Sequence, residues 1–152
     1  MVLRMKKVYL DVCCLNRPFD DQEQERIHLE SEAIRLILKR IGKCDLIWVG
    51  SSVLNLEINK TPDIERKANV IAFMDGITDK IYATEKDVDR ARVFESLGFK
   101  AMDALHLACA ERLQVDVFLT VDDKLISKGK MNPGNPNIRI ENPVTWLQEV
   151  IK

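Results

Sequence analysis

Several things are scarce in this 152-residue chain, and each scarcity removes a class of protein. The longest stretch without a charged side chain runs from Leu46 to Leu56. A bilayer-spanning helix needs about 20 apolar residues, so no membrane span is expected. No excess of either charge exists: 23 Lys and Arg against 24 Asp and Glu leave a formal net charge of −1. A nucleic-acid partner would therefore have to be held by a local basic patch or through metal ions. The four cysteines, Cys13, Cys14, Cys44 and Cys109, include no C-x-x-C pair, which leaves a zinc or thioredoxin-type site without support. They read as reduced, small apolar residues. No P-loop and no G-x-G-x-x-G is present. Arg4, Lys6 and Lys7 precede an apolar run, but Asp11 interrupts it. That is not the pattern of a secretory signal, so a cytoplasmic protein is expected.

What remains is ordinary globular composition, 46% hydrophobic and 31% charged, in a chain sized for one domain with a proper core. Strand-like runs alternate with helical ones. Lys7 to Val12, Asp45 to Gly50, Lys80 to Ala83, Val115 to Thr120 and Ile138 to Ile140 read as strands. Gln24 to Ile41 carries one apolar stripe, with Gly42 expected to end it and Asp20 or Asp21 to cap it. Ser51 or Ser52 should cap a helix that carries Glu57. A helix should open at Thr61-Pro62-Asp63, another should follow Thr84 and end at Gly98, and Pro143 should start the last. The fold class implied is α/β: a single domain over residues 1–152, a three-layer α/β/α sandwich around a mostly parallel sheet.

The densest stretch is Ala101 to Leu125. Asp103 stands at the start of a helical segment, Ala104 to Leu113, that is apolar on almost every side and so belongs inside the domain. A short apolar strand follows, and Asp122 and Asp123 stand where it ends, at the edge of an open α/β sheet where ligands bind. Asp11 ends the first strand in the same way, and Glu57 sits in apolar sequence after the second. Single acids at helix starts are commonly caps. Asp11, Glu57, Asp103 and Asp122 together at one sheet edge point instead to a shared site. Clustered carboxylates repel unless a cation neutralises them. Oxygen ligands suit Mg²⁺ or Mn²⁺, which support in-line displacement at phosphorus.

The motifs VYLDV (Val8 to Val12), the Glu57 helix, MDALHLA (Met102 to Ala108) and LTVDD (Leu119 to Asp123) resemble, in order and rough spacing, those of the PIN domains. The resemblance covers essentially the whole chain. It implies a parallel α/β/α sandwich and a Mg²⁺- or Mn²⁺-dependent endoribonuclease. For many small bacterial members it implies the toxin of a toxin–antitoxin pair, with an RNA substrate, a small antitoxin protein as partner, and room for a homodimer. By motif, Asp11, Glu57, Asp103 and Asp122 take the acidic positions, and Thr120 the hydroxyl position of T-x-D. One departure stands out: Val12 and Cys13 occupy places where the family often has a hydroxyl residue and an asparagine. Asn16 is the candidate to take over that polar role, with Arg17 and Lys124 facing RNA phosphate. Lys128, Lys130 and Arg139 add to a candidate basic face.

The rival reading is a PIN-fold binding or regulatory module with a weak or idle metal site, and the Val12-Cys13 departure is its support. An aspartate-nucleophile phosphatase is disfavoured because Cys13 stands where its second acid should be. A receiver domain is disfavoured because Asp11 is not one of an acidic pair. Strand alternation assigns Asp122 to the site and leaves Asp123 to cap the short helix that follows.

Overall fold

The computed structural model describes residues 5–41, 43 and 45–151; Arg4, Gly42 and Cys44 lie outside the described residues. Five strands, β1 (Lys6–Leu10), β2 (Leu46–Ser51), β3 (Asp79–Ile81), β4 (Val117–Leu119) and β5 (Ile140–Glu141), form one sheet in the order β3-β2-β1-β4-β5. Every pairing is parallel. Val8 sits at the centre of the register, opposite Trp48 on one side and Val117 on the other. The neighbouring strands β1 and β4 are fully buried at Val8, Tyr9, Leu10, Val117, Phe118 and Leu119. That is why they read as continuous apolar runs and not as alternating ones.

Among the described residues there are eight α-helices: α1 (Val12–Asn16), α2 (Glu25–Ile41), α3 (Ser52–Ile58), α4 (Ile64–Phe73), α5 (Glu85–Ser96), α6 (Ala101–Arg112), α7 (Asp123–Met131) and α8 (Pro143–Val150). The chain steps outward one way from β1 to β2 to β3, then returns across the sheet to β4 and β5. Right-handed crossovers then put α1 to α4 on one face and α5 to α7 on the other. α2 packs against α8, and α5 against α6. The result is the three-layer sandwich expected from the alternation. The reversal between β1 and β4 makes their carboxyl ends the crevice of the fold.

Local chemistry explains most boundaries. Ser51 caps α3 through Val53 N, Asp63 caps α4 through Arg66 N, and Thr84 with Asp87 forms a capping box on α5. Gly98, at φ +102°, ends α5 in a Schellman turn: Gly98 N donates to Glu95 O and Phe99 N to Phe94 O. The rings of Phe94 and Phe99 meet edge-on across it. α6 ends the same way, but with Gln114 at φ 55°. A left-handed residue that is not glycine costs about 1–2 kcal/mol, and the buried Leu113 and Val115 flanking it hold it there.

Several boundaries differ from the sequence expectation. The first strand stops at Leu10 and not at Val12, because Asp11 accepts from Val12 N and starts the short helix α1. α6 begins at Ala101, three residues early, so Asp103 lies in its first turn. Pro62 precedes the Asp63 cap and lies outside α4. The cap of α7 is Asp122, whose side chain accepts from Lys124 N and Leu125 N. The capping role expected of Asp123 is thus corrected: strand β4 closes at Leu119, which leaves Asp122 and not Asp123 at the last extended position before the helix.

Candidate active site

The carboxyl ends of β1 and β4 bring Asp11 and Thr120 side by side. Asp11 is 5% exposed, and its amide donates to Leu119 O, tying the two strand ends together. Its Oδ1 accepts from Val12 N at 2.9 Å, and its Oδ2 accepts from Thr120 Oγ1 at 2.9 Å. The Cys13 thiol donates to the same Oδ2 at 3.4 Å. The departure from the family pattern therefore leaves a weak donor standing beside the first acid. Burial pushes the Asp11 carboxyl above its ordinary range, and Glu57 adds to the rise, while His106, Thr120 and Cys13 oppose it.

Glu57 approaches from α3, the helix after β2. Its Oε1 meets His106 Nε2 at 2.8 Å. His106, on α6, is fully buried. Its Nδ1 meets the Tyr9 hydroxyl at 2.7 Å, and that hydroxyl meets Ser51 Oγ at 2.8 Å. One ligand atom from each of Asp11, Glu57 and His106 lies within 4.8 Å of the others.

Asp103 comes from the first turn of α6. Its carboxyl is raised to about 6, first by burial and then by the negative charges of Asp11, Asp122 and Glu57, with His106 opposing. Asp103 thus feels the charges of the other three sequence-predicted acids, while the group whose ligand atoms lie within 4.8 Å of one another is Asp11, Glu57 and His106 and does not include Asp103 or Asp122. Asp122 caps α7, the role the sequence reading gave to Asp123, and its charge acts on Asp103.

The polar contacts expected around the acids are placed differently. Thr120 is fully buried and spends its hydroxyl on Asp11, while accepting from Asp122 N at 3.2 Å. It sets the acids and offers nothing to a substrate. Asn16 donates to Val12 O at the end of α1 and accepts from Arg66. Arg17, expected to face phosphate, is instead committed inward: its Nε donates to Glu30 Oε1 at 2.9 Å and its Nη1 to Asp20. A buried carboxylate competes better for that guanidinium than solvent does. On the candidate basic face, Arg139 is held between Glu149 and Glu141, and Lys128 donates to Gly98 O. Lys124 and Lys130 are exposed.

His106, Tyr9 and Ser51 were missed as site residues. From the sequence Tyr9 reads only as a strand residue and His106 as part of the all-apolar helix. The available signal was the spacing: His106 stands three residues after Asp103, on the same helical face.

The donor set suits a hard cation. Asp11, Glu57, Asp103 and Asp122 offer only carboxylate oxygens, and burial first, with neighbouring negative charge second, raises the carboxyls of Asp11 and Asp103, an effect that a cation would offset. Mg²⁺ and Mn²⁺ prefer such oxygens and keep waters besides. Both ring nitrogens of His106 already have partners, so it could ligate only by giving one up.

No family model and no curated protein matches the chain. Among solved structures it is similar to a chain in the crystal structure of VapBC2 from Rickettsia felis bound to a DNA fragment from their promoter. The TM-score is 0.62 at 15% identity, over 90% of this chain and 98% of that one. The likeness is one of fold: the parallel α/β/α sandwich expected from the sequence is the fold the chain adopts.

Proposed function

We propose that the protein is a Mg²⁺- or Mn²⁺-dependent endoribonuclease, the toxin of a toxin–antitoxin pair. The observation that carries this reading is the cluster of Asp11, Glu57 and His106, with ligand atoms within 4.8 Å of one another, near enough to Asp103 that burial and the charges of Asp11, Asp122 and Glu57 raise its carboxyl to about 6. The four carboxylates would hold the cation, which would activate water and neutralise charge developing on the phosphoryl oxygens. Asp11, locked by Val12 N and Thr120 Oγ1, supplies the most rigid carboxylate. Asp103, raised to about 6, can hold a proton at mildly acidic pH when the cation is absent. Lys124 stands one residue beyond Asp122–Asp123 and is placed to meet the RNA backbone, in a lysine's usual role as a point charge for phosphate.

The partner reading draws on the neighbour, which is a VapBC2 complex. Here Leu38, Ile41, Trp48, Ala72 and Phe73 line a pocket of about 500 Å³ between α2 and α4. An antitoxin's amphipathic helix would lay its apolar face there, with a basic side chain reaching the acids. A homodimer is compatible with the same role, and a cytoplasmic location follows from it.

The test is cleavage of a mixed-sequence fluorogenic RNA with and without Mg²⁺ or Mn²⁺, beside Asp11→Asn and a single-stranded DNA of the same sequence. Metal-dependent RNA cleavage lost in Asp11→Asn is the expected result. Metal binding with no cleavage would establish the idle-site binding module in its place. Expression of the wild-type chain alone should slow growth, and Asp11→Asn should not.

A further inference from the structure

One buried chain of hydrogen bonds runs from the core to Glu57, one of the site's acids. It links Ser51 at the end of β2, Tyr9 on β1, His106 on α6 and Glu57 on α3, at 2.8, 2.7 and 2.8 Å. Three of its members, Ser51, Tyr9 and His106, are fully buried. Nothing in sheet or helix packing requires a polar line there, and burying one is costly unless every member is satisfied.

Counting donors gives one direction that satisfies every member. Ser51 Oγ accepts from Val53 N at 3.2 Å, so its own hydrogen is available to Tyr9. Burial holds the Tyr9 phenol well above its ordinary pKa, so it keeps its proton and can pass a hydrogen bond on to His106 Nδ1. An ionised Glu57 only accepts, so the hydrogen on the imidazole must be at Nε2. One arrangement then satisfies every group: Ser51 to Tyr9, Tyr9 to Nδ1, and Nε2–H to Glu57 Oε1.

Resting on the metal-dependent reading above, we propose that His106 is the positioning residue of the site: held in its Nε2–H tautomer by Tyr9 and Ser51, it fixes the carboxylate of Glu57 toward the cation. Glu57 needs such a device. Its helix, α3, spans only Ser52–Ile58, and Glu57 stands next to its last residue, where helix ends fray. Asp11 and Asp122 are each fixed by backbone amides; Glu57 has the imidazole. The bond engages Oε1, and Oε2 takes no part in it.

The experiment compares wild type, Tyr9→Phe, His106→Gln, His106→Leu and Glu57→Gln. Imidazole ¹⁵N shifts should report the Nε2–H tautomer of His106 in the wild-type chain without metal. Mn²⁺ affinity should fall about tenfold or more in His106→Leu, in line with the loss of a hydrogen bond behind a ligand. It should fall less in His106→Gln, whose amide can still donate, and by a few-fold in Tyr9→Phe, which keeps the ring packing and loses only the hydroxyl. Cleavage should recover at saturating Mn²⁺ in Tyr9→Phe and His106→Gln, an effect on metal affinity and not on kcat. Thermal melts identify any variant that fails to fold, and Tyr9→Phe then carries the decision. An Nδ1–H tautomer, or wild-type Mn²⁺ affinity in both Tyr9→Phe and His106→Gln while Glu57→Gln loses it, would overturn the proposal. The tautomer and affinity effects as stated, with no RNA cleavage by the wild-type chain, would uphold the positioning role and remove the ribonuclease reading alone.

Discussion

Thr120 Oγ1 donates to Asp11 Oδ2 across 2.9 Å, joining the residues that follow two neighbouring parallel strands, β4 and β1. This one bond converts a topological fact, the reversal of strand order, into a fixed carboxylate. Asp11 has little freedom left, since its other oxygen is capped by Val12 N.

Thr120→Val should therefore weaken the site without dismantling the fold. The β-branched shape is kept and one buried hydrogen bond is lost, a cost of about 1–3 kcal/mol where the acceptor stays buried. With a donor gone, the Asp11 carboxyl should rise further. The pH profile of cleavage should shift its acid limb upward relative to wild type, as measured across pH 5 to 8; an unshifted limb would mean that Thr120 does not set Asp11.

Asp122 and Asp123 should separate by stability as well as by activity. Asp122→Ala removes both the cap of α7 and a site acid, so it should abolish cleavage and cost about 1 kcal/mol, a few degrees in melting temperature for a domain this size. Asp123 is exposed and paired with Arg26, and such pairs contribute little. Asp123→Ala should melt near wild type and cleave normally. Circular-dichroism melts and the RNA assay together decide it, and a larger loss of stability in Asp123→Ala would restore that residue as the cap.

Asp103 gives the stability curve of the metal-free protein a slope of known sign. Its folded carboxyl lies at about 6 against an ordinary 3.8, so the native state holds the extra proton between those values. Stability from this group is greatest below the ordinary value and is lost as pH rises from about 4 to about 6. Asp103→Asn should therefore melt higher than wild type at pH 7 without metal, and the gap should shrink toward pH 4. Adding Mg²⁺ or Mn²⁺ should raise the melting temperature of wild type, by binding only the folded state, and leave Asp103→Asn unmoved. An equal metal-induced shift in both would sink the shared site.

Arg17 should behave as a structural residue. Glu30 is 2% exposed and accepts from Arg17, Arg26 and Asn142, which ties α2 to the segment after α1 and to the start of α8. Removing one partner of a buried pair costs about 3–5 kcal/mol. Glu30→Ala should approach that loss. Arg17→Ala should also lower the melting point while leaving the KM for RNA unchanged at a temperature where it is folded. A raised KM with an unchanged melting point would return Arg17 to the phosphate-binding role.

The sequence by itself determined the layers and the acids. Apolar strands alternating with one striped and one all-apolar helix permit little but a parallel sheet between helices, and local cap and stop chemistry set most boundaries. Asp11, Glu57, Asp103 and Asp122 could be picked out because each ends or opens an element, a property visible along the chain. Partnership was not visible. Whether Asp122 or Asp123 caps α7 depended on where β4 stops, and that depends on its register with β1 and β5. Arg17 read as a free cation until α2 brought Glu30 beneath it, thirteen residues on. The chain from Ser51 through Tyr9 and His106 to Glu57 draws on four elements that only meet when the sheet reverses its strand order. A hydrogen bond needs two groups at one place, and for residues 42 or 97 positions apart the tertiary fold alone supplies that place.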